Sequence, residues 1–274
     1  MLKSFQFEKG IVLEMPLSVA IVAQDEANRL PRCLASVSFA DEVLVVDSGS
    51  RDNSVDIARL FGCRVLQQSW LGYARQKQFA VNNCSNDWVL ILDADELVPR
   101  ETAEKIVEIT GSHEQEFAAY SFLRKNFFHK RWIRHCGWWP ERVIRLVNRR
   151  QGRFSDNLVH ERWISDGAIK KLDLTLEHYS FRNYSDLINK MQEYSTLGAQ
   201  EMIQKGRRVR WWAPISHGIW TFIQTYFFEM SMMEGFDGFM ISLLNAEGSF
   251  MKYAKLREGI THGEFGMVID KNSK

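Results

Sequence analysis

Short apolar runs alternate with polar turns and amphipathic stretches along the first hundred residues. Five consecutive apolar residues, Trp88-Val89-Leu90-Ile91-Leu92, are bounded by polar ones and are too short to cross a membrane. They predict a strand buried on both faces of a parallel sheet. Leu17 to Ala23 and Glu42 to Val46 predict two further strands, and Arg64-Val65-Leu66 a short third one. Between them, Ala27 to Val37 reads as a helix with Pro31 near its start, as do Arg51 to Phe61, Leu71 to Asn83 and a segment beginning near Pro99. Strand and helix in strict alternation, joined by short polar turns, imply right-handed βαβ units. The expected class is therefore α/β, a Rossmann-like, mostly parallel twisted sheet with flanking helices. From Tyr184 the period becomes helical: Leu187, Met191, Tyr194, Leu197 and Met202 mark an amphipathic helix ending near Gly206.

The runs stop abruptly at polar residues, and these carry the candidate chemistry. The central run ends in Asp93-Ala94-Asp95-Glu96, the first in Gln24-Asp25-Glu26 and the second in Asp47-Ser48-Gly49-Ser50. Open α/β sheets bind ligands at the carboxyl ends of their strands, and hard carboxylate oxygens suit Mg²⁺ or Mn²⁺. If the chain stays extended, Asp93 and Asp95 point the same way and can reach one cation or one metal-bound diphosphate. The competing reading makes Asp95 and Glu96 caps of the helix near Pro99. Asp47 can accept from a base or ribose, or cap the next helix, a task Asp52 can also fill; Asp25 and Glu26 carry the same two readings. Arg75 and Lys77 sit early in the third helix, where its dipole disfavours cations, which suggests an anionic ligand; a solvated face is the simpler account for either one alone.

Composition changes this picture in one respect. The formal net charge of +1 over 274 residues conceals a segregation. Residues 124 to 163 hold eleven Lys or Arg against three acids, whereas 85 to 118 hold nine acids against two bases. A basic stretch facing an acidic, metal-competent one suits a nucleotide diphosphate; the alternative is two solvated faces that never meet. Cys33, Cys63, Cys84 and Cys136 form no CxxC pair, and residues 1 to 15 contain no apolar h-region, so reduced thiols and a cytoplasmic address are expected. No run is long enough for a transmembrane helix, and no internal repeat is present. Nothing in the pattern calls for nucleic acid, and the oligomeric state is not legible.

Three of these segments, Ser18 to Glu26, Val45 to Asp52 and Leu92 to Glu96, resemble family 2 glycosyltransferases of the GT-A fold. Gly72 to Gln78, Ile144-Arg145-Leu146, Val159-His160-Glu161 and Glu177-His178-Tyr179 are similar to the narrower branch containing the lipopolysaccharide inner-core β-1,4-glucosyltransferases. The resemblance implies an inverting transferase using a UDP-sugar, glucose in that branch, with an Mg²⁺ or Mn²⁺ cofactor and a lipid-linked lipopolysaccharide core glycan (a heptose) as acceptor. It further implies that Asp25, Glu26 and Asp47 contact uracil and ribose, that Asp93 faces the ribose or sugar, and that Lys77 neutralises phosphate. Asp95 would bind the metal, joined by a histidine after the core sheet: His178 by position, with His160 as rival.

Inversion is one in-line displacement, which needs a base for the acceptor hydroxyl and an electrophile for the departing diphosphate. Glu161, beside His160, is the expected base, with Asp156 and Glu141 as competitors. The diphosphate leaves without a proton, so no glycosidase-like acid is needed. Arg142 and Arg145 alternate with apolar residues at strand spacing and are read as lying on one solvent-facing edge; Arg145 is kept as a phosphate contact because its fork suits that group.

Residues 1 to 182 are expected to form the catalytic domain and 183 to 274 a helical, aromatic-rich extension. In the extension Arg207, Arg208 and Arg210 adjoin Trp211 and Trp212, and an aromatic and Met-rich segment follows Pro214. Such a segment suits the interface of an anionic bilayer, here the inner face of the plasma membrane; the alternatives are a lid over the catalytic domain or an oligomer interface. Transfer to another glycan or a polyprenyl phosphate, or a nucleotide-sugar-binding module without turnover, are the alternative functions.

Overall fold

The structure is a computed structural model that describes residues 17–112, 116–155 and 162–262. Strands β1 (Leu17–Ala23), β2 (Glu42–Asp47), β3 (Arg64–Gln67) and β4 (Trp88–Asp93) alternate with helices α1 (Leu30–Ser36), α2 (Ser54–Leu60) and α3 (Tyr73–Asn83). There follow β5 (Glu96–Leu97), α4 (Arg100–Thr110), β6 (Ala119–Phe128), β7 (Arg131–Trp132), β8 (Glu141–Asn148), β9 (Gly152–Phe154), β10 (Trp163–Ser165) and β11 (Ile169–Phe181). The main sheet runs β3-β2-β1-β4-β8-β6-β11-β5, with β7 paired to β6, and β9 and β10 form a separate hairpin. It is parallel from β3 to β4; β8 then pairs antiparallel with both β4 and β6. The fold is thus α/β as expected, with the parallel part confined to the N-terminal half and the β6–β11 pair.

β4 is the middle of the molecule because it is covered twice. Trp88, Leu90 and Leu92 enter the core shared with Leu30 and Leu34 of α1 and Ile106 of α4. Val89 and Ile91 enter the opposite core, with Ala80 and Val81 of α3 and Trp163 of β10. Full burial of each such side chain contributes roughly 1.5–3 kcal/mol, so neither face tolerates a polar residue. Polarity is relegated to the strand's end, which places Asp93 at the sheet edge.

Two boundaries differ from the sequence pattern. α1 begins at Leu30, because the amides of Arg29 and Leu30 both donate to the Glu26 carbonyl and residues 27–29 form a turn. α4 has Pro99 at its N-cap and no side-chain cap bond, so Asp95 and Glu96 do not cap it.

Beyond β11 the described chain is helical: α5 (Tyr184–Gln204), α6 (Ala213–Ile223), a π-helical turn (Gln224–Phe228), a 3₁₀ turn (Ser231–Glu234) and α7 (Gly235–His262). A third core, Phe128, Ile133, Cys136, Leu187, Ile241 and Leu244, joins these helices to the β6–β7 hairpin. A polar clasp reinforces it. Glu234, 6% exposed, accepts from Arg131 at 2.9 Å and from the Arg134 amide at 2.9 Å, and lies 2.8 Å from Nδ1 of His135. Asp237 accepts from the Tyr184 hydroxyl at 2.7 Å. Among the described residues no helix is long and apolar enough to cross a membrane.

Candidate functional site

At the carboxyl ends of the strands opens a cleft of about 1660 Å³, whose lining includes Glu26, Lys77, Asp93, Asp95, Arg145 and His178. The segregated charges of the sequence meet here. Lys77 Nζ donates to Asp93 Oδ1 at 2.8 Å, and Arg145 Nη2 donates to Asp93 Oδ2 and to Glu96 Oε1, each at 2.7 Å. Arg124 reaches Glu96 at 3.3 Å and grips Glu141 with Nε and Nη2 at 2.9 and 2.6 Å. Burial would raise the Asp93 carboxyl, but Lys77 and Arg145 hold it well below the usual carboxylate range.

The placement of Arg145 corrects the reading of Arg142 and Arg145 as one solvent-facing edge. Tyr120 pairs with Leu146 but Ser121 pairs with Ile144, so Arg145 is the extra residue of a β-bulge in β8. Arg145 is also three residues from Arg142, an odd spacing that strand alternation sends to the opposite face, and it lies inward, 6% exposed. Arg142 stays outward, bonded to the Leu172 carbonyl and Asp173.

After Asp93 the chain turns rather than staying extended, so the two aspartates part company. Asp93 faces Lys77 and Arg145, while Asp95 Oδ1 lies 3.5 Å from Nε2 of His178. β11 positions that histidine: His178 is in register with Asn126 on one side and Glu96 on the other, and the Tyr179 amide donates to the Asp95 carbonyl. Burial acts to raise the Asp95 carboxyl, yet the His178 imidazole, aided by Arg29, draws it down to about 2. One carboxylate oxygen and one imidazole nitrogen this close form a donor set that fits Mg²⁺ or Mn²⁺. Among the described residues no group of three or more His, Cys, Asp or Glu is placed to hold a metal, so a cation here would need oxygens from its ligand.

The remaining candidates are distributed unevenly. Glu26 lines the cleft and accepts from Arg29 Nη1 at 3.1 Å; burial raises its carboxyl. Asp47 turns back on its own turn, accepting from the amides of Gly49 at 3.1 Å and Ser50 at 3.2 Å, which fixes Gly49 at φ +94°. Asp52 takes the Ala27 and Ser54 amides. Asp25 is exposed and accepts from the Arg51 amide at 2.7 Å, and Arg75 is exposed on α3; neither is among the residues lining the cleft. Asp156, His160 and Glu161 lie outside the described residues.

Sequence reasoning offered Glu96, which is fully buried, only as a strand-end acid or a helix cap, and it missed Gln76, which ties Ser48 Oγ, the Gln68 carbonyl and the Leu71 amide together inside a motif quoted above. Arg29 (between Glu26, Asp95 and the Ser180 carbonyl) and Asn126 carry no local signal, because their partners are distant in sequence.

A carboxylate–imidazole pair and two buried cations thus share one cleft at the carboxyl ends of the strands of an α/β sheet. Residues 18–173 match the family described as Glycosyl transferase family 2, and the chain belongs to that family. An uncharacterized glycosyltransferase of Rickettsia typhi is 33% identical over 260 residues, covering 88% of this chain and 87% of that protein. The lipopolysaccharide core biosynthesis glycosyltransferase LpsC of Rhizobium meliloti is 28% identical over 258 residues, covering 90% and 93%. Among solved structures, glucosyl-3-phosphoglycerate synthase of Mycobacterium tuberculosis with Mn²⁺, UDP and glucosyl-3-phosphoglycerate is similar at 16% identity, TM-score 0.45, covering 74% of this chain and 88% of that one.

Proposed function

We propose that this glycosyltransferase moves a sugar, glucose by the branch it resembles, from a UDP-sugar to a lipid-linked lipopolysaccharide inner-core acceptor, with inversion. The observation that carries the proposal is the Asp95–His178 pair, 3.5 Å apart, in the same cleft as Lys77 and Arg145. The family membership and the likeness to a lipopolysaccharide core transferase support it.

In this reading Asp95 and His178 hold Mg²⁺ or Mn²⁺, which when bound supplies Lewis-acid charge against the departing diphosphate. Lys77 and Arg145 contribute fixed positive charge beside it, already oriented by Asp93 and Glu96, so little reorganisation accompanies bond breaking. Glu26 serves the nucleoside end from within the cleft, Asp47 acts there through the Gly49–Ser50 turn it holds, and Asp25 and Arg75 act from outside the cleft's lining, Arg75 on the approach to the phosphates. Glu161 is the proposed base. Its competitor Glu141 is engaged on both oxygens by Arg124, which lowers its carboxyl against the effect of burial and leaves it a poor proton acceptor.

We divide the chain into a catalytic domain over 1–182 and an acceptor-side extension over 183–274, and assign the extension to the cytoplasmic face of the membrane. Supporting this, Trp211, Ile215, Ile219, Trp220, Phe228 and Met233 are all exposed, and Arg207, Arg208 and Arg210 adjoin them. Aromatic contacts from Trp220 to Phe228 and from Phe222 to Phe239 link α6, the π turn and α7 into one apolar surface. Such a surface with adjacent arginines fits an anionic bilayer interface, where a lipid-linked acceptor would meet the donor.

The test is UDP release from UDP-glucose by the purified protein with Mn²⁺. Release abolished by Asp95→Ala and Glu161→Gln, with UDP binding kept in the latter, supports the mechanism. Binding without any release, with acceptor glycolipid present, would favour a non-catalytic module; transfer only to polyprenyl phosphate would replace the acceptor.

A further inference from the structure

A chain of hydrogen bonds behind His178 has every donor and acceptor role fixed from one end. Arg124 has only donors, so Glu141, which it grips at 2.6 and 2.9 Å, is the acceptor. Glu141 Oε2 also lies 2.9 Å from Asn126 Nδ2, and the Trp138 carbonyl lies 3.1 Å from the same nitrogen. Turning the Asn126 amide over would set its oxygen against two acceptors, so the orientation is determined by its neighbours. Asn126 Oδ1 therefore faces Nδ1 of His178, at 2.6 Å, and that nitrogen must carry a proton. Asn126 and His178 are 8% and 7% exposed, and water is a poor substitute for this bond.

The consequence falls on the other ring nitrogen. In a neutral imidazole with its proton on Nδ1, Nε2 is an acceptor. Nε2 then faces Asp95 Oδ1, 3.5 Å away, either with a lone pair ready for a cation or, in the doubly protonated ring that draws Asp95 down, with a proton; the Ser180 hydroxyl, 2.7 Å from Nε2 and 3.1 Å from Nδ1, can serve either form by rotating. The opposite tautomer would leave two acceptors, Nδ1 and Asn126 Oδ1, only 2.6 Å apart. A doubly protonated ring also satisfies both neighbours, and there the Nε2 proton is the one a cation replaces.

We infer that Asn126, held by Glu141, is a positioning residue that fixes the His178 tautomer and so prepares Nε2 as a cation ligand. The inference rests on the reading of Asp95 and His178 as the cation pair. Partners that fix a ligand histidine's tautomer typically change metal affinity by about 10–100-fold when removed.

Two measurements test it. In the metal-free protein labelled with ¹⁵N-histidine, the neutral His178 ring, assigned with His178→Gln, is expected to show a protonated Nδ1 and an unprotonated Nε2. Mn²⁺ affinity in the presence of UDP, read by electron paramagnetic resonance, is expected to fall about 10–100-fold in Asn126→Ala. Asn126→Ala is also expected to keep metal-free UDP binding at the wild-type level while its His178 ring no longer holds the proton on Nδ1 alone. That combination separates positioning from a general loss of structure. A wild-type ring protonated on Nε2 alone, or an Asn126→Ala variant that binds Mn²⁺ as the wild type does, overturns the inference. Failure of the wild type itself to bind Mn²⁺ overturns instead the cation reading of Asp95 and His178.

Discussion

Arg145 donates to Glu96 at 2.7 Å although one begins as the extra residue of a bulge in β8 and the other sits in the short strand β5 at the far edge of the sheet. Glu96 has no exposed surface, and Arg124 shares it at 3.3 Å. Removing a buried partner leaves its cations uncompensated, which costs more than the pair contributes when intact. Glu96→Ala is therefore expected to destabilise the protein by roughly 3–5 kcal/mol, measured by urea unfolding, and to free Arg145 from its orientation toward Asp93. A loss under ~1 kcal/mol would mean that water reaches the cluster.

Acid should weaken the fold through the same cluster. Asp93 and Asp95 are both held below the ordinary carboxylate range, Asp95 at about 2. As pH falls, the unfolded chain takes up these protons first, near its own value of ~3.9, and so is favoured. The stability Asp95 supplies is present above that value and disappears as pH drops toward about 2, while that of Asp93, held lower still, persists further into acid. Unfolding free energies measured from pH ~6 downward should show this slope, and Asp95→Asn should reduce it.

Gly152 opens the β9–β10 hairpin, and a Cβ there would lie 2.4 Å from the Ile164 carbonyl oxygen and 2.6 Å from Trp163 Nε1. Neither neighbour can retreat: one is backbone, and Trp163 is buried in the α3-side core. Gly152→Ala is expected to cost about 1–3 kcal/mol by overpacking. Because residues 153–163 lead through the Glu161 segment, turnover should fall more than UDP binding in a steady-state assay with direct titration.

Flotation with anionic and neutral vesicles examines the apolar face. Trp220→Glu with Phe228→Glu, two residues 56% and 71% exposed, should abolish vesicle binding while leaving the far-UV spectrum and UDP affinity unchanged. Replacing Arg207, Arg208 and Arg210 by Gln should weaken binding to anionic vesicles alone, by ~1 kcal/mol per charge at most. Binding that is indifferent to both sets would point to a lid or another protein surface.

Arg145→Lys keeps the charge and loses the fork. A single ammonium cannot span Asp93 and Glu96 as the guanidinium does, so kcat/KM for the UDP-sugar is expected to drop by about tenfold or more. Equal rates for the two proteins would remove Arg145 from the diphosphate contacts.

The sequence determined whatever depends on neighbours in the chain. Burial of Trp88 to Leu92 on two faces, the βαβ alternation, the acids at strand ends and the helix from Tyr184 all follow from local period and polarity, which set a residue's face before any partner is known. It also limited the chemistry to carboxylates and cations able to hold a nucleotide diphosphate. Only the tertiary structure decided which acid meets which base. Asp93 and Asp95, alike and two residues apart, diverge because the chain turns between them. Arg145 meets Asp93 and Glu96 from a bulge in β8, Asn126 meets His178 across two strands 52 residues apart, and Asp47 spends its carboxylate on its own turn. Those outcomes depend on strand order and register, which bring together residues whose separation along the chain carries no trace of their contact.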